Sequence, residues 1–88
     1  ENLMLRLAYN SLRKKVADAL LKIQKKYRQN KDGIFSIDIS RENLAAIAGT
    51  ATESLIRTLS DFRNEKLVDT KGGQIFILNQ QKLENLAN

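Results

Sequence analysis

Residues 39–67, ISRENLAAIAGTATESLIRTLSDFRNEKL, decide the fold of this 88-residue chain. Ser40 can cap a helix over residues 41–48, and Gly49 is typical of a residue that ends a helix, because glycine tolerates positive φ. Residues 50–53 then follow the Thr-x-x-Glu pattern of a capping box, which predicts that a second helix begins at once. The two helices and the short turn between them predict a helix-turn-helix unit.

Apolar spacing predicts the inner face of each helix in this unit. The residues expected to face inward are Leu44, Ile47 and Ala48 in the first helix, and Leu55, Leu59 and Phe62 in the second.

A longer helix is predicted upstream, over residues 12–29 with Ser11 as its N-cap, because apolar residues recur there at steps of three and four. Its apolar stripe consists of Leu12, Val16, Ala19, Leu20, Ile23 and Tyr27. Residues 1–9 have the spacing of the last turns of another helix that begins further upstream. We therefore expect the chain to be a fragment of a longer protein.

The remaining segments supply a small sheet and a last helix. They are a turn at 29–33, a strand within 34–39, strands at 67–70 and 74–78 joined by Lys71-Gly72-Gly73, and a helix at 80–87. The order helix, helix, strand, helix-turn-helix, β-hairpin, helix is typical of a winged helix. This fold is mainly α with a small antiparallel sheet, and we expect it over residues 11–88.

Composition excludes several classes of function. The chain has no cysteine and no histidine, which excludes thiolate nucleophiles, Cys/His zinc sites and histidine-based catalytic dyads. It also lacks a glycine-rich phosphate loop. We therefore expect neither an enzyme nor a metal or cofactor site in this chain.

Positive charge is concentrated in the first third of the chain. Residues 1–32 carry nine basic and three acidic side chains, whereas residues 33–88 carry six and seven. The basic side chains of the predicted long helix either form a solvated face or contact phosphates, and the pattern leaves both open. They are Arg13, Lys14, Lys15, Lys22, Lys25, Lys26 and Arg28.

The second helix of the unit presents a polar face opposite its apolar stripe. Its members are Thr52, Glu53, Ile56, Arg57 and Ser60. Arginine can donate in bidentate fashion to guanine and glutamate can accept from cytosine, so this face fits the edges of base pairs. Alternatively, Glu53 and Arg57 pair with each other across one turn, with Glu53 also acting as the capping residue. Ile56 is either half buried or available to a thymine methyl group.

These residues resemble a known family of bacterial transcription regulators, the Crp/Fnr family. The matching features are Ser40-Arg41-Glu42, the turn Gly49, the pair Glu53-x-x-x-Arg57, Lys66-Leu67-Val68 and Lys71-Gly72. Upstream, LAYNSLRKKVADALLKI is similar to the helix that follows the family's dimerisation helix. The resemblance covers residues 5–86.

The resemblance implies a cytoplasmic, sequence-specific binder of double-stranded DNA, with a recognition helix at 51–64 in the major groove. It implies base contacts from the polar face and phosphate contacts from Ser40, Arg41, Thr50, Ala51 and Lys71. Residues 1–10 would be the end of a dimerisation helix with a hinge at Asn10-Ser11. The intact protein would be a homodimer on an inverted repeat, with RNA polymerase among its partners. Its N-terminal sensor would be a cyclic-nucleotide-binding-type barrel for an effector that this chain does not identify.

Two positions depart from the family pattern, and one property favours a different function. Thr52 replaces the arginine of the cyclic-AMP-responsive branch, and Ile56 replaces the serine of the oxygen-responsive branch. The second helix is also nearly neutral, with Glu53, Asp61 and Glu65 against Arg57, Arg63 and Lys66. A winged helix that binds another protein is therefore the alternative.

Overall fold

The computed structural model describes residues 3–27 and 36–87, and there it has the predicted winged-helix architecture. The elements are α1 (Leu3–Tyr27), β1 (Ser36–Asp38), α2 (Arg41–Ala48), α3 (Thr52–Asn64), β2 (Val68–Lys71), β3 (Gln74–Ile77) and α4 (Gln80–Ala87). The strands form one antiparallel sheet in the order β1-β3-β2. The predicted turn at 29–33, together with Ile34 and Phe35, lies outside the described residues.

Helix α1 is continuous through the expected boundary, so the prediction that Ser11 caps a new helix was wrong. Asn10 and Ser11 are exposed on the helix. The segment contains no glycine or proline, and an exposed serine is tolerated inside a helix when its side chain points to solvent. The backbone of α1 has no break at these two residues, and the hinge expected there stays a prediction.

The inner face of α1 packs on the rest of the domain as predicted. Val16, Ala19, Leu20 and Ile23 are buried, and Leu12 is partly buried against the same core. This face contacts α2, α3 and α4. It therefore forms the platform behind the helix-turn-helix unit.

The turn between α2 and α3 closes around Gly49. Ser40 Oγ accepts from the Asn43 amide over 3.1 Å at the start of α2, as predicted. Gly49 has φ +76°, and the Thr50 amide donates back to the Ala45 carbonyl over 3.0 Å. This six-residue closure is the Schellman motif.

The predicted capping box at residues 50–53 is absent, because the amide of Thr50 belongs to the closing turn of α2. The N-cap of α3 is Ala51, which offers no side-chain acceptor. Glu53 then occupies the second helical position rather than the third. The first amides of α3 consequently have no side-chain cap.

The inward residues of α3 are buried as predicted, whereas one in α2 is not. Leu55, Leu59 and Phe62 are at most 3% exposed, but Ile47 is 52% exposed. In α2, Leu44 is buried as predicted, and Ala45 is buried beside it. Each residue advances about 100° around a helix, so the face centred between Leu44 and Ala45 leaves Ile47 outside it.

The hairpin that forms the wing has the predicted turn. Val68 pairs with Ile77 and Lys71 with Gln74, so the connection consists of Gly72 and Gly73 alone. Both have positive φ, as a type I′ turn requires. Helix α4 follows, capped by Asn79, whose Oδ1 accepts from the Lys82 amide over 3.1 Å.

A salt bridge fixes the C-terminal end of α3 to α1. The two Nη atoms of Arg13 each lie 2.8 Å from a carboxylate oxygen of Glu65, and the guanidinium stacks 5.1 Å from the centre of the Phe62 ring. Arg13 therefore does not belong to the solvated basic face expected for α1. The same hydrogen bonds lower the pKa of Glu65 below its ordinary value of 4.5.

We predict that this pair makes part of the domain's stability pH-dependent. Because the pKa of Glu65 is lower in the folded state, its contribution is present above pH 4.5 and is lost as the pH falls through the folded pKa. Solvent screens this exposed carboxylate, so the contribution is at most about 1 kcal/mol. Glu65→Gln should therefore lose less unfolding free energy than the wild type as the pH falls below 4.5. Urea denaturation at a series of pH values measures this difference.

The partner supplies the control for this measurement. In an Arg13→Gln background, Glu65→Gln should change the pH dependence much less, since the largest cause of the pKa shift is already gone and only the weaker effects of Lys82 and burial remain. If the single Glu65→Gln variant loses unfolding free energy at acid pH as steeply as the wild type does, the prediction is contradicted.

Helix α3 ends in a second Schellman motif that contains no glycine. The Leu67 amide donates to the Phe62 carbonyl over 2.9 Å, and the Lys66 amide donates to the Arg63 carbonyl over 3.0 Å. Lys66 therefore has φ +62°, a left-handed conformation that is strained for a residue with a Cβ.

We predict that Lys66→Gly stabilises the domain by about 0.5–1 kcal/mol. The relief of left-handed strain exceeds the added entropy of glycine in the unfolded chain. Thermal unfolding measures the gain. Lys66→Ala is the matched control, because it removes the same charge but keeps the Cβ, and it should give no comparable gain.

Candidate nucleic-acid interface

One face of α3 is open to solvent, and all five predicted base-contacting residues lie on it. Glu53, Ile56, Arg57 and Ser60 are exposed, and Thr52 is half-buried. The opposite face is buried, including Thr58, whose hydroxyl donates to the Ser54 carbonyl over 2.9 Å. The functional roles of the five residues stay a prediction.

Glu53 and Arg57 do not pair with each other in the structure. Among the described residues, ion pairs are formed by Arg13 with Glu65 and by Lys22 with Asp18. The capping role that would have engaged Glu53 is also absent, since Ala51 is the N-cap. Both charged side chains thus stay available to an external partner.

The predicted phosphate-contacting residues border the exposed face of α3. Ser40 is exposed, but its hydroxyl already accepts the amide of Asn43. Ala51 is exposed and Thr50 is half-buried at the start of α3, where uncapped amides and the helix dipole favour an anion. The Thr50 amide itself is used by α2, so an anion there would bind the amides that follow.

The wing meets the start of α2 through a long hydrogen bond. Arg41 Nη1 lies 3.5 Å from the carbonyl of Gly73, at the far limit of such a contact. Lys71 is exposed at the end of β2, directly before the turn. The structure therefore brings Arg41 to the tip of the wing, a proximity that the sequence did not predict.

Sequence analysis missed Arg63 as a member of this surface. Its Nη1 donates to Thr70 Oγ1 over 3.1 Å, and it lines a cleft between α3 and the wing. Arg63 follows Ile56 by seven residues, which places both on one side of a helix. This spacing could have predicted from the sequence that Arg63 shares a face with Ile56.

The charge count that favoured a protein partner changes once contacts are known. Glu65, which stays partly exposed, is bound to Arg13 at the end of α3. Arg57, Arg63 and Lys71 are exposed at α3 and the wing, as are Glu53 and Asp69. The pairing of Glu65 therefore neutralises one of the three acidic charges counted along α3.

The lysines of α1 are exposed, but α1 packs on the inner side of α3. Lys14, Lys15, Lys22, Lys25 and Lys26 all face solvent, with Lys22 lying 3.0 Å from Asp18. Arg28 lies outside the described residues. The contact of Arg13 with Phe62 marks the side of α3 that faces α1. These lysines are consistent with a solvated face.

The described residues contain neither a metal site nor a membrane-spanning helix. Across residues 3–27 and 36–87, no cluster of acidic side chains could hold a metal ion. In the same part of the chain, no helix has the length and apolar content to cross a membrane.

Comparison with known proteins assigns the family. Residues 14–86 match the family model described as a Crp-like helix-turn-helix domain. The chain belongs to this family. Among curated proteins, none matches the chain.

Solved structures of Crp/Fnr regulators share this fold. The catabolite activator protein of Thermus thermophilus is 33% identical with a TM-score of 0.77, over 92% of this chain and 36% of its own. A Crp/Fnr-family protein from Eubacterium rectale is 32% identical with a TM-score of 0.74, over 85% and 32%. This Crp-like domain therefore spans about a third of the length of these relatives.

We predict that Ile56 contributes little to the stability of the domain, although its neighbour contributes much. Ile56 is 51% exposed, whereas Leu55 is fully buried. Ile56→Ala should cost less than about 1 kcal/mol, while Leu55→Ala should cost about 2–5 kcal/mol. Urea denaturation of the two variants makes the comparison, and equal losses would contradict the assigned orientation of α3.

Proposed function

We propose that this domain binds double-stranded DNA in a sequence-specific manner as part of a Crp/Fnr-like transcription regulator. The supporting observation is the open face of α3, on which Glu53 and Arg57 are exposed and unpaired between the amides at residues 51–53 and the wing. Helix α3 has the dimensions to enter a major groove, with its N-terminal turns against base edges.

In this mechanism, Arg57 and Glu53 determine most of the sequence preference. The guanidinium of Arg57 donates two hydrogen bonds to one guanine, and the carboxylate of Glu53 accepts from a cytosine. One helical turn separates them, so they contact neighbouring base pairs. Thr52, Ile56 and Ser60 refine the preference, with Ile56 placed to meet a thymine methyl group.

Residues around α3 hold the sugar-phosphate backbone. Arg41 and Lys71 supply positive charge on either side of the wing, and Ser40 flanks the start of α2. The uncapped amides after Thr50 and Ala51 bind a phosphate at the start of α3. These contacts fix the position of the domain on the duplex and carry no sequence information.

The intact protein, on this proposal, is a cytoplasmic homodimer that binds an inverted repeat and contacts RNA polymerase. Residues 1–10 belong to its dimerisation helix and residues 11–88 to the DNA-binding domain. An effector-binding barrel precedes both. The match of residues 14–86 to the Crp-like domain supports this division.

A second candidate is a winged helix that binds another protein. The observation in its favour is that Ile47 and Leu78 are more than half exposed. The salt dependence of duplex binding distinguishes the two functions. A DNA-binding domain loses affinity for duplexes steeply as salt rises, whereas a protein-binding domain shows at most weak and sequence-independent duplex binding.

We predict that Arg57→Ala weakens binding to the preferred site by about 1–3 kcal/mol and removes discrimination at one guanine. Selection of sites from a random duplex pool, with the wild type and the variant, measures both effects. The wild-type motif should contain a TGA-like core with no requirement for a second guanine, because Thr52 is too short to contact one.

Lys71→Ala is the comparison for this experiment, since loss of a backbone contact should weaken all duplexes alike. If Arg57→Ala returns the same motif with the same information content as the wild type, Arg57 does not contact bases.

We also predict that the 88-residue chain is monomeric in dilute solution and binds its site weakly. Residues 1–10 are too short to hold two chains together. Fusing the chain to a longer parallel dimerising helix should tighten binding to an inverted repeat through effective concentration. Sedimentation and duplex titration check both points, and a tight dimer of the unfused chain would contradict the prediction.

A further inference from the structure

The lining of the cleft between α3 and the wing includes two arginines and no acidic residue. Its lining consists of Arg41, Ile56, Leu59, Ser60, Arg63 and Thr70, and its volume is about 240 Å³. None of these lining residues is acidic, so this part of the described structure carries two formal positive charges. Such a cleft favours an anion.

Helix periodicity and one hydrogen bond place Arg63 in the cleft. Ile56, Ser60 and Arg63 follow at spacings of four and three residues, so they share one side of α3. Thr70 lies opposite on β2 and accepts from Arg63 Nη1 over 3.1 Å. This bond holds the guanidinium at the mouth of the cleft while the arginine stays exposed to solvent.

Arg41 reaches the same cleft from the start of α2. Its Nη1 lies 3.5 Å from the Gly73 carbonyl at the tip of the wing. An arginine carries five N–H donors, and each of these two hydrogen bonds uses one. Both guanidinium groups therefore retain donors for an additional acceptor.

The chemistry of the lining fits a phosphodiester. Arginine donates in parallel to two oxygens of one phosphate. Leu59, which is 3% exposed, forms an apolar part of the cleft floor. A flexible duplex backbone lying between α3 and the wing would place a phosphate at this position.

We propose that Arg63 and Arg41 together bind one backbone phosphate of duplex DNA in this cleft. This inference rests on the proposed function, since its occupant is present only when α3 lies in the groove. The phosphate bridges α2 and α3 beside the wing, and so fixes the position of both helices on the duplex. The contact strengthens binding to every sequence equally, because phosphates are the same in all duplexes.

Titration of the 88-residue chain over a range of salt concentrations tests this role. The probes are a duplex with the preferred site and a duplex with that site scrambled. The variants are Arg63→Gln and the matched control Lys82→Gln, which removes the same charge from an exposed position on α4 outside the cleft. Circular dichroism of each variant verifies that it is folded.

Arg63→Gln should weaken both duplexes by the same factor. It should also reduce the slope of log affinity against log salt by about 0.9, the value for one lost phosphate contact. Lys82→Gln should leave the slope unchanged. Thr70→Val keeps the charge but removes the hydroxyl that orients Arg63, so it should weaken binding without reducing the slope.

The outcomes separate this inference from the proposed function. If the wild type prefers its site but Arg63→Gln has the same slope as Lys82→Gln, the inference is wrong and the proposed function stands. If Arg63→Gln loses site preference at an unchanged slope, Arg63 contacts bases and the inference is also wrong. If the wild type shows no salt-dependent duplex binding, the proposed function fails and the inference fails with it.

Discussion

Burial of Phe62 against α1 fixes the direction in which α3 faces. Its side chain is fully buried, and the guanidinium of Arg13 covers the ring while pairing with Glu65. Removing a buried phenylalanine side chain costs about 3–5 kcal/mol, so α3 cannot rotate about its axis without losing a large part of the domain's stability. Side chains on one helix keep fixed directions relative to one another. The packing of Phe62 therefore also determines that Glu53 and Arg57 point to solvent.

The turn at Gly49 and the wing then position the residues around α3. Gly49 closes α2 in a left-handed conformation, which lets α3 begin only three residues later with its first amides uncapped. The wing folds back beside α3 because Gly72 and Gly73 complete a two-residue turn. These local features bring the positive charges of Arg41 and Lys71 close to the exposed face of α3. Such a surface is complementary in charge to the phosphates of a duplex.

Much of this arrangement could be predicted from local sequence. The cap at Ser40, the stop at Gly49, the apolar stripe ending at Phe62 and the glycine turn of the wing each depend on residues close together in the chain. The structure confirms all four. The family resemblance rests on the same segment, and the match of residues 14–86 to the Crp-like domain confirms it.

What sequence analysis missed depends on contacts between distant residues or on competing local hydrogen bonds. Neither role considered for Arg13, a solvated face or a phosphate contact, included its pairing with Glu65, because Glu65 is 52 residues away in the chain. The capping box failed because Thr50 has a single amide, which α2 uses. Ile47 was placed inward because a helix of eight residues leaves the centre of its apolar face poorly defined by pattern alone. The contact of Arg63 with Thr70 could not be predicted, because it depends on where the wing folds relative to α3.

On the proposal made above, the exposed face of α3, the turn before it and the tip of the wing form one DNA-binding surface. Titration of the ¹⁵N-labelled chain with duplex DNA, followed by amide chemical shifts, tests whether they do. The largest shifts should fall at Thr52, Glu53 and Arg57, at the turn residues 49–51, and at the wing residues 71–73. Amides of α4 and of Leu78 should stay nearly unchanged. If the shifts are instead concentrated around Ile47, Leu78 and α4, with α3 unaffected, this surface does not bind DNA.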